Sequence, residues 1–326
     1  MKKILIIVFA VLVNILFLSL PVVAQEGKLE ASSAQDMLIK SEVETAASML
    51  QAIYAKDAEL KENGSAIELE QFVERGADLI AKKGEKAFGL FREKGSQWLQ
   101  GDRYLFVWDM NGLRYVYPPN RKGEGENVRD IKDIDGKPIG ELIINTASSK
   151  KGEGWLFYRW PKPDQSVPDW KSTYVMKAKS PSDKEFIIGS GAYDMPVQRS
   201  FVKNVVEAAV QLIEQRGVKA FDILRDRKSQ YIYQDTYVFV IADYGVELLN
   251  VAFSKLEGKK VIDYKDTDGN YFVREFIDVA KNKGHGWVDY PWPKPGDVGK
   301  SQKSTYVRKA MIDGKMVVVC AGLYKD

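Results

Sequence analysis

The hydrophobic and polar positions of the chain repeat with a period of about 3.6 residues in some segments and of two residues in others. The change from the helical to the strand period occurs twice along the chain. Over residues 202–218, apolar side chains recur at spacings of three and four, as one face of an amphipathic helix requires. Earlier in the chain, the pattern predicts two helices at about 35–61 and 66–98, because the turn signal Asn63-Gly64-Ser65 separates them. Long helices are therefore expected to precede the shorter elements.

After each helical region the period shortens to two, which is typical of β-strands. The segments 104–109 and 113–117 flank the hairpin signal Asn111-Gly112. The pattern also predicts short helices near 139–147 and 271–281, and strands at about 154–160, 172–178, 185–193, 286–292, 304–310 and 315–323. Helices followed by antiparallel strands predict an α+β fold in which one sheet face is free to form a pocket.

An internal duplication decides the domain organisation. Without any gap, 16 of the 28 residues in 151–178 are identical to those in 283–310. Upstream the correspondence continues with an offset one residue larger, pairing Tyr104 with Tyr237 and, two residues further on, Phe106 with Phe239. We therefore predict two copies of one unit, residues 25–195 with an extra N-terminal helix and residues 196–326.

The first residues of the chain have the pattern of a secretory signal. Lys2 and Lys3 precede an apolar run, and small residues occupy the −3 and −1 positions of a cut after Ala24. We predict that residues 1–24 are removed and that the protein is periplasmic or secreted. The alternative is an inner-membrane anchor through residues 4–23, because a run of this length is at the lower edge of what spans a bilayer.

Charge and composition exclude several function classes. The formal charge of +3 falls to +1 without residues 1–24, with 46 basic against 45 acidic side chains, so a nucleic-acid partner is not expected. The single cysteine, Cys320, lies in a valine run and is expected to be a buried hydrophobe. With one histidine, His285, the chain offers neither a zinc site nor a Ser-His-Asp arrangement. We predict no cofactor, no metal and no enzymatic activity.

Two Asp-x-Asp-Gly segments leave a calcium site as an alternative. They begin at Asp133 and Asp266, and an EF-hand loop would need a Glu six residues after the glycine. Leu142 occupies that position in the first copy and Glu275 in the second. Turn formation explains both segments better, although Glu275 keeps the calcium alternative open for the second copy.

The motifs of each copy resemble those of a Cache domain. They are most similar to the single-Cache type 2 modules found in the extracytoplasmic parts of bacterial chemoreceptors and sensor kinases. In the first copy they are Tyr104-Leu105-Phe106-Val107, Gly112, Asp133-Ile134-Asp135-Gly136, Tyr158-Arg159-Trp160-Pro161-Lys162-Pro163, Lys171-Ser172-Thr173-Tyr174-Val175 and Gly191-Ala192-Tyr193. The resemblance implies a PAS-like fold, with a long N-terminal helix packed on a mainly antiparallel sheet. It also implies binding of small molecules, often short carboxylic acids.

Two departures from the family pattern qualify the resemblance. Tyr117-Pro118 of the first copy is replaced by Asn250-Val251, which makes the first copy the better candidate for a ligand. The sequence runs to Asp326 directly after a predicted strand, whereas family members have a second transmembrane helix. We therefore expect a membrane receptor or kinase partner to transmit any signal.

A pocket for a short carboxylate needs fixed donors, a positive charge and flat apolar walls. The candidate residues are Tyr104, Phe106, Tyr117, Tyr158, Trp160, Lys171 and Tyr174 in the first copy, and Tyr237, Tyr290, Trp292, Lys303 and Tyr306 in the second. Residues three apart in a strand point to opposite faces, so Lys171 and Tyr174 converge only if Lys171 precedes the strand. Alternatively, the aromatic residues are core and the lysines are solvated strand ends.

The leading hypothesis is an exported small-molecule-binding protein with a sensory role in signal transduction or chemotaxis. A small organic acid is the expected ligand. The alternatives are a structural or interaction module without a ligand, a sensor anchored at its N-terminus, and an unrecognised enzyme.

Overall fold

The computed structural model describes residues 28–163, 165–297 and 299–325. The predicted signal peptide, residues 1–24, lies outside the described residues. The chain divides into two compact units, one ending at Gly64 and the other formed by Ser65–Asp326, and both large sheets belong to the second. Within the described ranges, no helix is both long enough and apolar enough to cross a membrane.

The first module combines helices with a five-stranded antiparallel sheet in the order β4-β3-β7-β6-β5. A short two-stranded ribbon, β1 with β2, precedes the sheet. The elements are α1 (Lys28–Lys83), α2 (Ala87–Phe91), β1 (Leu99–Gln100), β2 (Arg103–Tyr104), β3 (Phe106–Asp109), β4 (Arg114–Val116), α3 (Ile139–Ser148), β5 (Glu153–Pro161), β6 (Pro168–Lys179) and β7 (Glu185–Tyr193).

The second module repeats this topology with its own five-stranded sheet, in the order β9-β8-β12-β11-β10. All neighbouring strands are again antiparallel. The elements are α4 (Arg199–Arg216), α5 (Ala220–Arg225), β8 (Val238–Ala242), β9 (Glu247–Asn250), α6 (Phe272–Lys283), β10 (His285–Trp292), β11 (Ser301–Ile312) and β12 (Lys315–Lys325). Two α+β modules in tandem, with long helices before the sheets, confirm the predicted fold class.

Each sheet is covered on both faces, and the period of two along the strands separates the two sets of side chains. One face of each sheet packs into a core that includes the apolar stripes of α1 and α4. The opposite face of the first sheet packs against α3, and that of the second sheet packs against α6. We call these opposite faces the α3 face and the α6 face.

The two modules share part of their core. Tyr233, in the segment before β8, stacks on Phe157 of β5 with ring centroids 4.2 Å apart. Its hydroxyl lies 3.1 Å from Ser172 Oγ and donates to the carbonyl oxygen of Met195. A buried tyrosine whose hydroxyl is satisfied in this way fixes the second module against the first sheet.

The predicted break at Asn63-Gly64-Ser65 is wrong, because α1 continues through these residues. Gly64 costs a helix about 1 kcal/mol relative to alanine. Burial of one large apolar side chain contributes about 1.5–3 kcal/mol, and Phe72 and Val73 are both buried in the next part of α1. The second predicted helix was also too long, since α1 ends before Gly84, whose positive φ of 59° terminates helices.

Most sheet strands extend beyond their predicted bounds, whereas β7 coincides with its prediction at 185–193. The largest difference occurs in β6 and β11, which begin four and three residues earlier than predicted. Lys171 therefore lies inside a strand and not in the loop before it, which decides the direction of its side chain.

Candidate functional site

A buried lysine lies at the centre of the α3 face. Lys171 pairs with Tyr158 of β5 and with Tyr193 of β7 in the strand register, and only 2% of its surface is exposed. Its side chain passes over Gly191, where an added Cβ would overlap Lys171 Cε. The glycine of the Gly-x-Tyr motif thus provides the space that the lysine occupies.

The ammonium group of Lys171 has few polar partners for its charge. Nζ donates to Tyr104 Oη at 2.8 Å, and this is its one hydrogen bond to a described residue. An ammonium can donate three, and burial without partners is costly. The rings of Tyr104 and Tyr193 lie 4.6 and 4.8 Å from Nζ and supply cation–π attraction.

The protonation states favour a ligand that accepts hydrogen bonds. Burial lowers the pKa of Lys171, because the charged form loses hydration, and the nearby Tyr158, Tyr117 and Asp102 partly oppose this shift. Burial also raises the pKa of Tyr104 well above its usual value, so that hydroxyl stays protonated. An anionic oxygen beside Nζ would offset the cost of burying the ammonium.

Two further contacts explain why the motif residues occur together. Thr173 Oγ1 donates to Tyr158 Oη at 2.9 Å, which orients the phenol on the α3 face. The hydroxyl of Tyr193 donates to the carbonyl oxygen of Pro161 at 2.8 Å and ties β7 to the end of β5. The Trp-Pro, Lys-x-Thr and Gly-x-Tyr segments thus form one connected arrangement around Lys171.

An open pocket of about 430 Å³ lies at the rim of this arrangement, within the size range of small-molecule sites. Its walls include Arg114, Tyr117, Asn120 and Trp160, together with the carboxylates Glu126 and Asp130. The Arg114 guanidinium lies 4.3 Å from the centre of the Tyr117 ring. The Tyr117 ring is 6.0 Å from that of Tyr104, so aromatic contacts connect the rim to Lys171.

The first module also has two buried donors that no described residue satisfies. Arg114 is 7% exposed, and its Nε has no hydrogen-bond partner within the described ranges. The same is true of Trp108 Nε1, and the Trp108 ring packs against Phe106 on the α3 face. Because buried donors are normally paired, Arg114 Nε at the open pocket supports a site for a ligand that accepts hydrogen bonds.

The second module reproduces the lysine arrangement. Lys303 is 1% exposed, and its Nζ donates to Tyr237 Oη at 2.7 Å. Thr305 Oγ1 donates to Tyr290 Oη at 3.2 Å, and Gly322 gives Lys303 the same clearance that Gly191 gives Lys171. The duplicated motif has therefore preserved the geometry around both buried lysines.

The rim of the second module is filled. Glu247 stands at the position equivalent to Arg114, and Phe253 at the position equivalent to Asn120. The Phe253 ring lies 5.9 Å from both Tyr237 and Trp292. The cavity that remains has a volume of about 20 Å³, which is room for one water molecule.

The charges inside this small cavity are of opposite sign. Both Glu247, 3% exposed, and Lys303 line it. Burial raises the pKa of Glu247 to about 7, although the amide of Asn250 and the charge of Lys303 favour its ionised form. Burial lowers the pKa of Lys303 to about 7, and Glu247 partly opposes that shift.

Two predicted site residues lie on the wrong face of their sheets. Tyr174 packs against Trp155, with ring centroids 5.3 Å apart, in the core that includes α1 and α4. Tyr306 belongs to the same core and donates to Glu207 of α4 at 3.1 Å. The strand alternation places both opposite to the neighbouring lysines, so neither joins the site.

The other predicted residues lie on the faces that carry the lysines. They are Tyr104, Phe106, Tyr158, Tyr117 and Trp160 on the α3 face, and Tyr237, Tyr290 and Trp292 on the α6 face. All are buried or packed against the core clusters, and Tyr117 and Trp160 also border the open pocket.

The Asp-x-Asp-Gly segments act as turns. Asp133 Oδ1 accepts from the backbone N–H groups of Asp135 and Lys137, and its Oδ2 accepts from that of Arg159. Asp266 accepts from Asp268 and Asn270 in the same way. Among the described residues no group of three or more His, Cys, Asp or Glu side chains could hold a metal ion.

Comparisons with known proteins match both halves of the chain. The model of the Single Cache domain 2 family matches residues 31–207, more than half of the chain, and a second model, described as Cache domain, matches residues 218–323. The chain belongs to the Cache domain family. It is a tandem Cache protein, and Cache families are ligand-sensing families.

Several relatives of the tandem Cache protein come from chemotaxis. The methyl-accepting chemotaxis protein McpP of Pseudomonas putida is 30% identical over 109 residues, which cover 33% of this chain and 19% of that protein. The chain thus spans about a fifth of the length of this relative. A periplasmic sensor domain of a chemotaxis protein is 28% identical, with a TM-score of 0.34, covering 38% of this chain and 92% of that one. A Cache chemosensory domain, described for carboxylic acid recognition, is 26% identical, with a TM-score of 0.34 and coverages of 38% and 91%.

Sequence reasoning missed four residues that distinguish the two Cache modules. Arg114 and Trp108 carry unpaired buried donors in the described part of the first module, whereas Glu247 lines the second cavity and Phe253 packs beside it. The aligned copies carried a usable signal for one pair, because Arg114 and Glu247 reverse the charge at one repeat position. The unsatisfied Trp108 donor has no such signal, since it depends on packing.

Proposed function

We propose that the first Cache module binds a small carboxylate and that the chain serves as the ligand-binding part of a sensory system. The observation that carries the proposal is the buried Lys171 ammonium, which has a single hydrogen-bond partner among the described residues. A carboxylate would accept hydrogen bonds from Nζ and from the donors at the rim.

The rim adds a donor for a carboxylate. Arg114 lines the open pocket together with Glu126 and Asp130, and its Nε has no hydrogen-bond partner among the described residues. A carboxylate that accepts from this guanidinium would form a charge-assisted hydrogen bond. The aromatic walls formed by Tyr117, Tyr158 and Trp160 suit a short apolar chain attached to that carboxylate.

The output of the protein is part of the same proposal. The similarity to McpP, a methyl-accepting chemotaxis protein, supports a receptor or kinase at the membrane as the partner. We also propose that the protein is exported and that residues 1–24 are then removed. The boundary between the two modules is proposed to lie near residue 195. Mass spectrometry of the protein isolated from its host would find residue 25 at the N-terminus, and retention of residues 1–24 would contradict export by cleavage.

The binding proposal is tested by titrating the purified protein with formate, acetate, propionate, lactate and succinate, using calorimetry and thermal unfolding. At least one acid should raise the unfolding temperature, because a ligand that binds only the folded state stabilises it. Lys171→Met should abolish the response, whereas Lys162→Met, which removes a partly exposed lysine from the next loop, should leave it unchanged.

A chain that responds to no carboxylate at large excess would contradict the proposal. A response that survives in folded Lys171→Met protein would show that the ligand binds elsewhere. Far-ultraviolet circular dichroism of each variant separates loss of binding from loss of folding.

A further inference from the structure

We infer that the second Cache module is held closed by its own carboxylate, with Glu247 acting as the internal counter-ion of Lys303. Both side chains are at least 97% buried and line one cavity of about 20 Å³. In the described part of the chain, Glu247 and Lys303 form no direct salt bridge. Both groups border the same cavity. This inference does not depend on ligand binding by the first module.

The local structure fixes Glu247 in that position. It begins β9, which pairs with β8, the strand that follows Tyr237. Glu247 Oε1 accepts from Asn250 Nδ2 at 2.8 Å. Asn250 is held in turn, because its backbone N–H donates to Glu257 Oε1 at 2.9 Å. The carboxylate therefore has a fixed orientation within the module.

Aromatic residues close the space that a ligand would need. Phe272 of α6 stacks on Tyr290 with centroids 4.6 Å apart, and its ring is 5.2 Å from that of Trp292. The equivalent of Phe272 in the first module is Ile139, a smaller side chain. Together with Phe253, these rings leave room for a water molecule and not for an organic acid.

The charged and titratable groups around Lys303 are few. The neighbouring elements contribute Glu247 from β9, Cys320 from β12 and Asp235 from the segment before β8. The phenols of Tyr237 and Tyr324 also lie against the ammonium. Glu247 is the buried carboxylate of this set, and Asp235 is exposed, so Glu247 is the group that compensates the lysine inside the protein.

Removal of this side chain gives a direct test. Glu247→Ala deletes a methylene and a carboxylate, which together correspond to acetate. Acetate should therefore bind the variant beside Lys303 and restore stability. At ten times its Kd, acetate should raise the unfolding temperature by about 3 °C more than it does for the unaltered protein, with sodium chloride matching the ionic strength.

Two further variants locate this response. Glu275→Ala removes an exposed carboxylate of α6 and should respond to acetate as the unaltered protein does. The double variant Glu247→Ala with Lys303→Met should lose the additional response, because the cation is gone. An additional response that persists in the double variant would overturn the inference.

A second measurement covers the possibility that Glu247→Ala does not fold. Glu247→Gln keeps the size and the contact with Asn250 but removes the charge. NMR titration of Lys303, labelled by reductive methylation with ¹³C-formaldehyde under denaturing conditions and refolded, should show its pKa lowered by about one unit or more. An unchanged Lys303 titration would overturn the inference.

The result is separable from that of the proposed function. If the unaltered protein fails to bind any carboxylate while Glu247→Ala gains acetate binding, the proposed function fails and this inference stands. If the unaltered protein binds a carboxylate and the Glu247 variants neither gain acetate binding nor alter the Lys303 titration, the proposed function stands and this inference fails.

Discussion

The α3 face and the α6 face have the same buried lysine but opposite surroundings. Lys171 and Lys303 each donate to a tyrosine hydroxyl from the same strand position. Arg114 lines the open pocket of the first module, and Glu247 occupies the equivalent repeat position in the cavity that Lys303 lines. One duplicated framework thus supports an open pocket in the first module and a small cavity bordered by aromatic rings in the second, depending on a few rim residues.

The largest expected effect concerns the dependence of stability on pH. Burial raises the pKa of Glu247 from its ordinary value of 4.5 to about 7 in the folded protein. Between these values the folded state keeps a proton that the unfolded state has lost, so stability falls as pH rises through this window. Glu247→Gln should remove a fall of up to about 3 kcal/mol.

Lys303 contributes the opposite slope at higher pH. Its pKa is lowered from 10.5 to about 7, so the unfolded state binds the proton more tightly and stability rises between these values. Urea denaturation at pH 4.5, 7 and 9 would measure both slopes, with Glu275→Gln as the control. If the free energy of unfolding of Glu247→Gln and of the unaltered protein depended on pH in the same way, Glu247 would not titrate as a buried group. The proposed difference between the two faces would then be wrong.

The next effect concerns Arg114, which lines the open pocket of the first module. Arg114→Gln should weaken carboxylate binding about tenfold, since a hydrogen bond to a charged group contributes about 1.5–3 kcal/mol and glutamine retains part of it. Arg121→Gln alters an exposed arginine in the segment that follows β4 and should change the Kd little. Calorimetry gives both dissociation constants. If the two variants weakened binding equally, Arg114 would contribute only through the net charge of the protein and not through a direct contact.

The smallest effect distinguishes the two faces of one sheet. Tyr104→Phe removes the acceptor of Lys171 and should weaken binding about fivefold, as expected for a hydrogen bond of about 1 kcal/mol. Tyr174→Phe should change the Kd less than about twofold, because Tyr174 lies on the opposite face. A larger loss for Tyr174→Phe would show that the core against α1 and α4 is coupled to the site.

Much of the fold followed from local patterns. The period of two located β7 at its observed bounds and placed the other main strands with small errors, because alternation is a property of consecutive residues. The continuous α1 was not predictable from Asn63-Gly64-Ser65. A turn signal describes a local preference, which packing of the residues that follow can override.

The amino-acid sequence alone indicated the duplication and the α+β class and singled out Lys171 and Lys303 as candidates, since identities and periods can be counted along a chain. Tertiary structure decided which face each tyrosine occupies and what fills each pocket. Those properties depend on strand register and on contacts between distant segments, such as that between Lys171 and Tyr104, which are 67 positions apart in the sequence. Local sequence patterns do not encode such distances, whereas side-chain packing does.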